Sequence, residues 1–305
     1  MGEEVTEFIG VIMSWRIIII DSQSKLDYKM GYLVIRGTEM KRVLLDEIAV
    51  LMIENPAISI TGLLIEALME KKIKVIFCDS KRSPTAELIP HHGCHDCSSK
   101  IRTQIAWEKG MKEIIWKEIV SEKIRKQAEF LQELGKEQQA FMLLEYVAQL
   151  EFADRSNREG HAAKVYFNAL FGMDFTRSAG TPVNAALNYG YSLILSAFNR
   201  EICANGYLTQ LGIFHDNMFN YFNLSCDLME PFRILVDRMV YEKIPTEFGR
   251  EEKHKMWEIL EKKVVIDGQK QFLQNALKIY TRSVFDAMND KDLSEIKFYS
   301  LPGCM

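Results

Sequence analysis

The sequence predicts an α+β protein in which a small N-terminal β domain precedes a larger all-α-helical domain. Up to residue 90, short apolar runs alternate with turn residues, as is typical of strands. Beyond residue 100, apolar residues recur at helical spacing, with many opposite charges four positions apart. The chain has 305 residues, 48% of them hydrophobic, which suffices for one large domain or two ordinary ones.

The N-terminal domain is predicted over residues 14–90. Apolar runs indicate strands at Trp15–Ile20, Met40–Leu44, Ile48–Ile53 and Lys74–Cys78. A further hairpin is expected to turn at Lys29-Met30-Gly31, between Tyr28 and Leu33-Val34-Ile35. One amphipathic helix is predicted at Leu63–Lys72, with Thr61 as its N-cap.

The helical domain is predicted over residues 101–305, after a linker at residues 91–100. Its helices are expected at Ile101–Leu134, Gln138–Phe152, Glu159–Phe171, Val183–Asn205, about Ser225–Ile244 and Glu251–Asn289. Residues 1–13 are expected to be an extension, and their acidic start is unlike a secretory signal peptide. No apolar run approaches the ~20 residues that span a bilayer, so a cytoplasmic protein is predicted.

Charge and missing motifs narrow the function. The net charge is −4, whereas nucleic-acid-binding domains are usually basic. A DNA enzyme of this composition would gather its positive residues on one face, or rely on a metal ion or a basic partner. No phosphate-binding loop, dinucleotide fingerprint or nucleophile elbow occurs in the sequence. Six scattered cysteines are typical of reduced thiols in a cytosolic protein.

The first candidate for chemistry is Glu159, in the segment SNREGHAAKVYF (156–167). Ser156 and Glu159 have the spacing of a capping box, which would make Glu159 a structural residue in the first turn of a helix. Gly160 is unfavourable inside a helix by ~1 kcal/mol, which close backbone packing or an approaching ligand would explain. His161 is two residues after Glu159 and therefore points about 160° away from it around a helix, and a structural role is the better interpretation for it.

The second candidate lies in HDNMFNYFNLSCDLMEPFR (215–233). Asp227 and Glu230 are three residues apart, so one helical turn would place both carboxylates on one face. His215 precedes them in a segment that is typical of a loop. Adjacent carboxylates repel unless a cation or a proton intervenes, although a solvated helix start is an equally simple interpretation. One imidazole with two or three carboxylates favours Mg²⁺ or Mn²⁺ over structural zinc, and such ions serve phosphoryl transfer.

Two further segments carry histidines, cysteines or basic residues. A zinc knuckle could be drawn from residues 91–97, but the spacing is too compressed for one ion, and an interdomain or DNA-facing segment is the better interpretation. Its candidate ligands are His91, His92, Cys94, His95 and Cys97. A basic run over residues 100–126 alternates with glutamates, which is typical of a solvated helix surface. Phosphate contacts are expected where acids are fewer, at Lys81, Arg82, Lys100 and Arg102.

The chain resembles the CRISPR-associated endonuclease-integrase of the spacer-acquisition complex, in its compact type II form. The resemblance is carried by SNREGHAAKVYFNALFG (156–172), FNLSCDLMEPFR (222–233) and His215 between them. SKLDYKMGYLVIRG (24–37), FCDSKRSPTAELIP (77–90) and the stretch from Ala185 to His215 extend it. It runs from about residue 14 to at least residue 245, while residues 91–97 depart from the family pattern.

The resemblance implies a metal-dependent enzyme that inserts short DNA fragments into a CRISPR repeat array. Glu159, His215 and Glu230 fall on the family's metal ligands, although many relatives carry Asp at the position of Glu230. Asp227 matches an acidic position that would orient a ligand or bind DNA, and Arg158 and Arg233 flank the motifs as candidates for the same roles. The implied small β domain and larger helical catalytic domain agree with the periodicity.

The resemblance also implies partners. These are DNA, a second copy of the chain through the N-terminal domain, a small ferredoxin-like companion subunit, and in type II systems a DNA-clamp protein and the effector nuclease. Two other hypotheses stay open at this point. One is a non-catalytic helical scaffold in which Glu159 and the Asp227/Glu230 pair are helix caps, and the other is a stand-alone metal-dependent nuclease.

Overall fold

The computed structural model describes residues 16–89, 95–154 and 156–302. The chain divides into two compact units, residues 1–90 and 91–305. The predicted extension at residues 1–13, and the candidate ligands His91, His92 and Cys94, lie outside the described residues. Within those ranges, no helix is both long enough and apolar enough to cross a bilayer.

The N-terminal unit consists of two four-stranded sheets and one helix. Its elements are β1 (Arg16–Ile20), β2 (Ser24–Lys29), β3 (Tyr32–Arg36), β4 (Met40–Leu44), β5 (Ile48–Ile53), β6 (Ile58–Ile60), α1 (Gly62–Glu70), β7 (Lys74–Cys78) and β8 (Pro84–Leu88). One sheet has the order β1-β5-β7-β8 and the other β4-β3-β2-β6. β5 is buried along its whole length, as expected for a continuous apolar strand between two parallel neighbours.

The predicted strands of this unit are confirmed, and two strands were missed. β2 and β3 pair across a turn at Met30-Gly31, as predicted. β8 has the polar sequence PTAEL and pairs on one side only, with β7. An edge strand can begin with proline and remain polar, so it gives no apolar signal. β6 has only three residues, too few for a pattern.

The second unit is mostly helical. Its helices are α2 (Cys97–Ile105), α3 (Lys109–Glu133), α4 (Glu137–Ala148), α5 (Arg158–Phe171), α6 (Pro182–Ala204), α7 (Asn223–Leu228), α8 (Arg233–Glu242), α9 (Arg250–Met256) and α10 (Leu273–Asp290). Short 3-10 turns occupy Phe152–Asp154, Glu230–Phe232 and Trp257–Glu261. α3 has buried residues from Ile115 to Leu131, so the catalytic candidates lie around a central helix.

Three predictions for this unit are wrong in detail. Helix α2 begins inside the segment predicted as a linker, and a break at residues 106–108 separates it from α3. The helix predicted at Glu251–Asn289 is interrupted by a β-hairpin, β9 (Lys263–Ile266) with β10 (Gln269–Phe272). The hairpin turns at Asp267-Gly268, both at positive φ. Asp-Gly between apolar runs is a strong hairpin signal, which the helical periodicity on either side obscured.

Candidate functional site

Lys123, Glu159 and Glu230 meet at the centre of the helical unit. Lys123 lies on α3, Glu159 in the first turn of α5 and Glu230 in the 3-10 turn after α7. The Lys123 Nζ atom is 2.6 Å from Glu159 Oε1 and 2.5 Å from Glu230 Oε2. One ammonium therefore sits between two carboxylates that are 71 residues apart in the sequence, counting from position 159 to position 230.

Burial and charge act in opposite directions on this group. Burial would lower the pKa of Lys123, but the carboxylates of Glu159 and Glu230 raise it to about 12. Burial would likewise raise the pKa of Glu230, whereas the Arg233 guanidinium and the Lys123 ammonium hold it at about 2. Arg233 Nε donates to Glu230 Oε1 at 2.9 Å. The carboxylate of Glu230 is therefore ionised near neutral pH although only 4% of its side chain is exposed.

Glu159 lies in the first turn of α5, but its side chain does not cap that helix. Asp154, in the preceding 3-10 turn, accepts hydrogen bonds from the backbone N–H groups of Arg158 (2.7 Å) and Glu159 (3.0 Å). The predicted capping box of Ser156 and Glu159 is thus wrong, because Asp154 satisfies these donors and the Glu159 carboxylate is turned to Lys123. A Cβ on Gly160 would lie 2.6 Å from Asn157 Oδ1, so side-chain packing accounts for this glycine.

His215 and Asp227 form a second, closely fitted pair. Asp227 is fully buried, and its Oδ1 atom lies 2.6 Å from His215 Nδ1. Its carboxylate also accepts the backbone N–H groups of three consecutive residues, Ile213, Phe214 and His215, at 2.6, 3.1 and 3.1 Å. The hydrogen bond to Asp227 raises the pKa of His215, against burial, which lowers it. Asp227, whose role the sequence left open, fixes the imidazole so that Nε2 is the nitrogen left to bind a ligand.

Two neighbours make the His215 loop rigid. Trp116 of α3 is stacked on Phe214, with ring centroids 4.4 Å apart, and meets the His215 ring edge-on at 5.5 Å. A Cβ on Gly212 would lie 2.2 Å from the His215 carbonyl oxygen and 2.8 Å from Asp227 Oδ2. Since the first of these is a backbone atom, only glycine fits at position 212. The continuous helix predicted to carry Asp227 and Glu230 is interrupted, because α7 ends at Leu228 and Glu230 begins a 3-10 turn, and the two carboxylates have different partners.

A cavity of about 220 Å³ adjoins the Lys123 group. Its charged lining comprises three basic side chains, Lys123, Arg177 and Arg233, and three acidic ones, Glu159, Glu230 and Asp237. Tyr191 also lines it and donates a hydrogen bond to Asp237. Burial raises the pKa of Asp237 to about 6. Near neutral pH the formal charges of the cavity therefore cancel.

The remaining predicted residues are placed as follows. Arg158 lies over the ring of Tyr146, at 5.6 Å, rather than in the cavity. Lys100 lies 5.7 Å from the ring of Tyr207, and Arg102 is exposed on α2. Lys81 and Arg82 belong to the turn between β7 and β8 in the N-terminal unit, and Arg82 forms an ion pair of 3.1 Å with Glu54. The expectation that Lys81, Arg82, Lys100 and Arg102 bind phosphates stays a prediction.

The structure brings Glu159 and Glu230 together through Lys123, and His215 together with Asp227. Within the described ranges, no three His, Cys, Asp or Glu side chains already surround a common point as metal ligands would. Sequence reasoning missed Lys123, Arg177 and Asp237. Lys123 belongs to the basic run that was predicted to be solvated, and the half-polar stretch around it, from Ile119 to Ile124, gives no sequence signal that distinguishes it.

Comparisons with known proteins point to one family. The profile of the family described as CRISPR associated protein Cas1 matches residues 17–275. The chain is 36% identical over 229 residues to a protein named CRISPR-associated endonuclease Cas1 of Neisseria meningitidis, and the match covers 75% of each chain.

Two solved structures share the fold. One is a casposase bound to integration product, with a TM-score of 0.74, 18% identity and coverage of 90% of this chain and 91% of that chain. The other is described as a Cas6-RT-Cas1--Cas2 complex, with a TM-score of 0.71, 16% identity and coverage of 93% of this chain and 36% of that chain.

Proposed function

The chain belongs to the Cas1 family of CRISPR-associated proteins, and we propose that it is a DNA endonuclease and integrase that inserts short foreign DNA fragments into a CRISPR repeat array. The observation that carries the proposal is the meeting of Glu159 and Glu230 on one cation, Lys123. Family membership supports the nuclease or integrase role in general terms. The metal dependence and the mechanism below are our proposal.

We propose that Glu159, Glu230 and His215 hold one or more Mg²⁺ or Mn²⁺ ions. The donor set fits, since two ionised carboxylates and one imidazole suit these ions. The structure supports this fit because Glu159 and Glu230 already share one cation, the Lys123 ammonium. The His215 Nδ1 atom is occupied by Asp227, which leaves Nε2 for a ligand. The ammonium of Lys123 would have to move when a divalent ion enters between the carboxylates.

The proposed reaction is a transesterification. The 3′-hydroxyl of the fragment attacks a phosphorus atom at the repeat boundary, a new P–O bond forms, and the old P–O3′ bond breaks. The leaving 3′-oxygen takes up a proton, so one phosphodiester replaces another and no nucleotide is consumed. Water in place of the hydroxyl gives hydrolysis, which is the endonuclease activity. A bound divalent ion would lower the pKa of the attacking hydroxyl and offset charge on the phosphate.

The chain's own residues have distinct tasks in this proposal. Arg233 keeps Glu230 ionised in a buried place. Asp227 orients His215 and sets its tautomer. Trp116, stacked on Phe214 beside the imidazole, restricts the space open to water on that side. Strand transfer is expected to fall as the pH is lowered, because the neutral form of His215 is the ligand. The fall should begin at a higher pH than for an ordinary histidine, since the pKa of His215 is raised.

The proposed partners are double-stranded DNA, a second copy of the chain through the N-terminal unit, and a small ferredoxin-like companion subunit. The type II DNA-clamp protein and the effector nuclease would join them in the cytoplasm. A solved structure of similar fold is described as a Cas1–Cas2 complex with further components, which supports an adaptation assembly. The net charge of −4 gives a physical reason for a basic companion, since DNA binding depends strongly on positive charge.

The test is strand transfer by Glu159→Gln with Mn²⁺ and a labelled fragment. We expect a loss of at least 100-fold with a folded protein that still melts cooperatively, because Asp154, and not Glu159, caps the helix and Lys123 keeps Glu230 as a partner. Glu129→Gln, an exposed carboxylate on α3, is the matched control and should join DNA normally.

Two outcomes would favour the rival hypotheses. No strand transfer by the wild-type protein would favour the non-catalytic helical scaffold, whereas transfer by Glu159→Gln at the wild-type rate would reject the proposed metal site. Joining into random DNA with no preference for a repeat would favour a stand-alone nuclease.

A further inference from the structure

Arg177 is a cation on the wall of the cavity that contains Glu159 and Glu230. It belongs to the loop between α5 and α6, residues 172–181, and is half-buried. The proposed function assigns it no task. Its surroundings differ from those of the other two basic residues of the cavity.

Among the described residues, the hydrogen bonds and ring contacts of the Arg177 guanidinium are with neutral groups. One terminal nitrogen donates to Asn184 Oδ1 at 2.5 Å and the other to Asn188 Oδ1 at 2.7 Å. The Cζ atom lies 5.6 Å from the ring centre of Phe167 and 5.4 Å from that of Tyr191. Amides and rings orient a guanidinium without neutralising it. The positive charge of Arg177 is therefore not neutralised by these contacts.

The orientation of Asn184 is itself fixed. This residue is 2% exposed, and its Nδ2 atom donates to the carbonyl oxygens of Thr176 and Ala179, both at 2.8 Å. Its Oδ1 atom must then face Arg177. The loop, the asparagine and the guanidinium form one connected network, so Arg177 is held in place before any ligand arrives.

The other two basic side chains of the cavity already have anionic partners. Lys123 is bound by Glu159 and Glu230, and Arg233 is bound by Glu230. Among the ion pairs of the described residues, none includes Arg177. Asp237, an acid of the cavity on which the charge of Arg177 acts, accepts a hydrogen bond from Tyr191. An oriented cation that has no carboxylate partner, beside a cavity, is an arrangement for binding an external anion.

We propose that Arg177 binds a non-bridging phosphate oxygen of the DNA strand under attack and so positions that strand against Glu159 and Glu230. This inference rests on the proposed function. The formal charges that line the cavity cancel, so a divalent ion would leave a positive excess that a phosphodiester partly offsets. A guanidinium has more N–H donors than the two asparagines use, and a planar fork of donors suits phosphate better than an ammonium does.

DNA binding without turnover tests the proposal. A fluorescein-labelled duplex with a single-stranded 3′ end is titrated with protein in EDTA, by anisotropy, at several NaCl concentrations. We expect Arg177→Gln to weaken binding about tenfold, as expected for the loss of one charge-assisted contact. The slope of log affinity against log salt should fall by about one. Arg282→Gln removes the same charge from α10, where the side chain is 75% exposed, and should leave the slope unchanged.

Two further variants distinguish phosphate binding from a structural role in the loop. Arg177→Lys keeps the charge and should restore the salt slope, but not the rate of strand transfer. Asn188→Ala removes one support of the guanidinium at an exposed position and should slow strand transfer several-fold with an unchanged salt slope. An Arg177→Gln protein that binds DNA with the wild-type affinity and slope would overturn the proposal, as would an Asn188→Ala protein with the wild-type rate.

The two proposals can fail separately. If wild-type protein transfers strands and Arg177→Gln has the wild-type salt slope, the phosphate contact is wrong and the proposed function stands. If wild-type protein transfers no strand but Arg177→Gln loses one unit of slope, the contact stands and the proposed function is wrong.

Discussion

Replacing Lys123 by methionine tests whether this ammonium takes the position of a divalent cation. The substitution keeps the volume of the aliphatic chain and removes the charge between Glu159 and Glu230. In the absence of metal, Glu230 would keep Arg233 as a partner, whereas Glu159 would lose the Lys123 ion pair. We therefore expect the metal-free variant to be less stable than the wild type.

The magnitude follows from burial. The side chains of Lys123 and Glu230 are 11% and 4% exposed, and that of Glu159 is 24% exposed. Removing one partner of a buried ion pair costs about 3–5 kcal/mol, and the partial exposure of Glu159 places this case at roughly 3 kcal/mol or less. For a unit of this size, each kcal/mol lowers the melting temperature by about 2–4 °C. The expected decrease is therefore roughly 6–12 °C at most.

Manganese should raise the melting temperature of Lys123→Met more than that of the wild type. A ligand stabilises the folded state more as its affinity rises, and in the variant no ammonium competes for the two carboxylates. Thermal unfolding in EDTA and in millimolar Mn²⁺ should show a larger metal-induced increase for Lys123→Met than for wild type. Lys109→Met is the matched control on the same helix. Its side chain is 90% exposed, so both melting temperatures should stay within about 1 °C of wild type.

The result that refutes this reasoning is an equal metal-induced increase in both proteins. It would mean that Lys123 does not compete with the ion. If Lys123→Met were as stable as wild type in EDTA, the ion pairs with Glu159 and Glu230 would contribute nothing to stability.

Two other predictions concern the neighbours of this group. Gly212→Ala would push its Cβ against the His215 carbonyl oxygen, so we expect a loss of strand transfer of at least 100-fold and roughly 1–3 kcal/mol of stability. Gly110→Ala, whose Cβ meets no atom within 4 Å, is the control. A displaced His215 loop that still supports the wild-type rate would contradict the role of that loop. Burial raises the pKa of Asp237 from 3.8 to about 6, so the carboxyl of Asp237 binds its proton more tightly in the folded protein than in the unfolded chain. The stability that this proton contributes is lost as the pH rises from about 4 to about 6. Asp237→Asn should therefore match wild type in urea unfolding below pH 4 and exceed it by roughly 3 kcal/mol at pH 7, and a pH-independent difference would contradict this.

The fold class was predictable because both periodicities are strong in this chain. The β domain followed by a helical domain is confirmed, and β4, β5 and β7 have the predicted bounds. What failed was local. The hairpin at Asp267-Gly268 lies between helical segments, and the break before Lys109 follows no proline or glycine. Short irregular segments depend on tertiary contacts, to which a periodicity window is insensitive.

For the candidate site, the sequence pointed to the acidic residues Glu159, Asp227 and Glu230 and to His215, but not to Asp237. Glu159, His215 and Glu230 were named because their motifs resemble a family. Lys123 and Arg177 lie in other segments, and nothing in their immediate sequence indicates which carboxylate or amide they face. Lys123 is 36 residues away from its partner Glu159, and Arg177 is 7 residues away from its partner Asn184. Only the folded structure separates a lysine buried between carboxylates from its solvated neighbours on α3.

The site has two halves that are held in different ways, and this difference bears on how a metal-dependent reaction could be controlled. Asp227 fixes His215 through the imidazole and three backbone N–H groups, and Gly212 leaves that loop no room to shift. Glu159 is held by the flexible side chain of Lys123, and Glu230 by Lys123 together with Arg233. The lysine side chain can withdraw without moving the backbone. Under the proposed function, a divalent ion would thus meet one ligand that is fixed by its loop and two carboxylates that Lys123 has already brought together. Lys123 offsets the repulsion between the two carboxylates, so under the proposed function the entry of an ion would exchange one cation for another and would require no folding step.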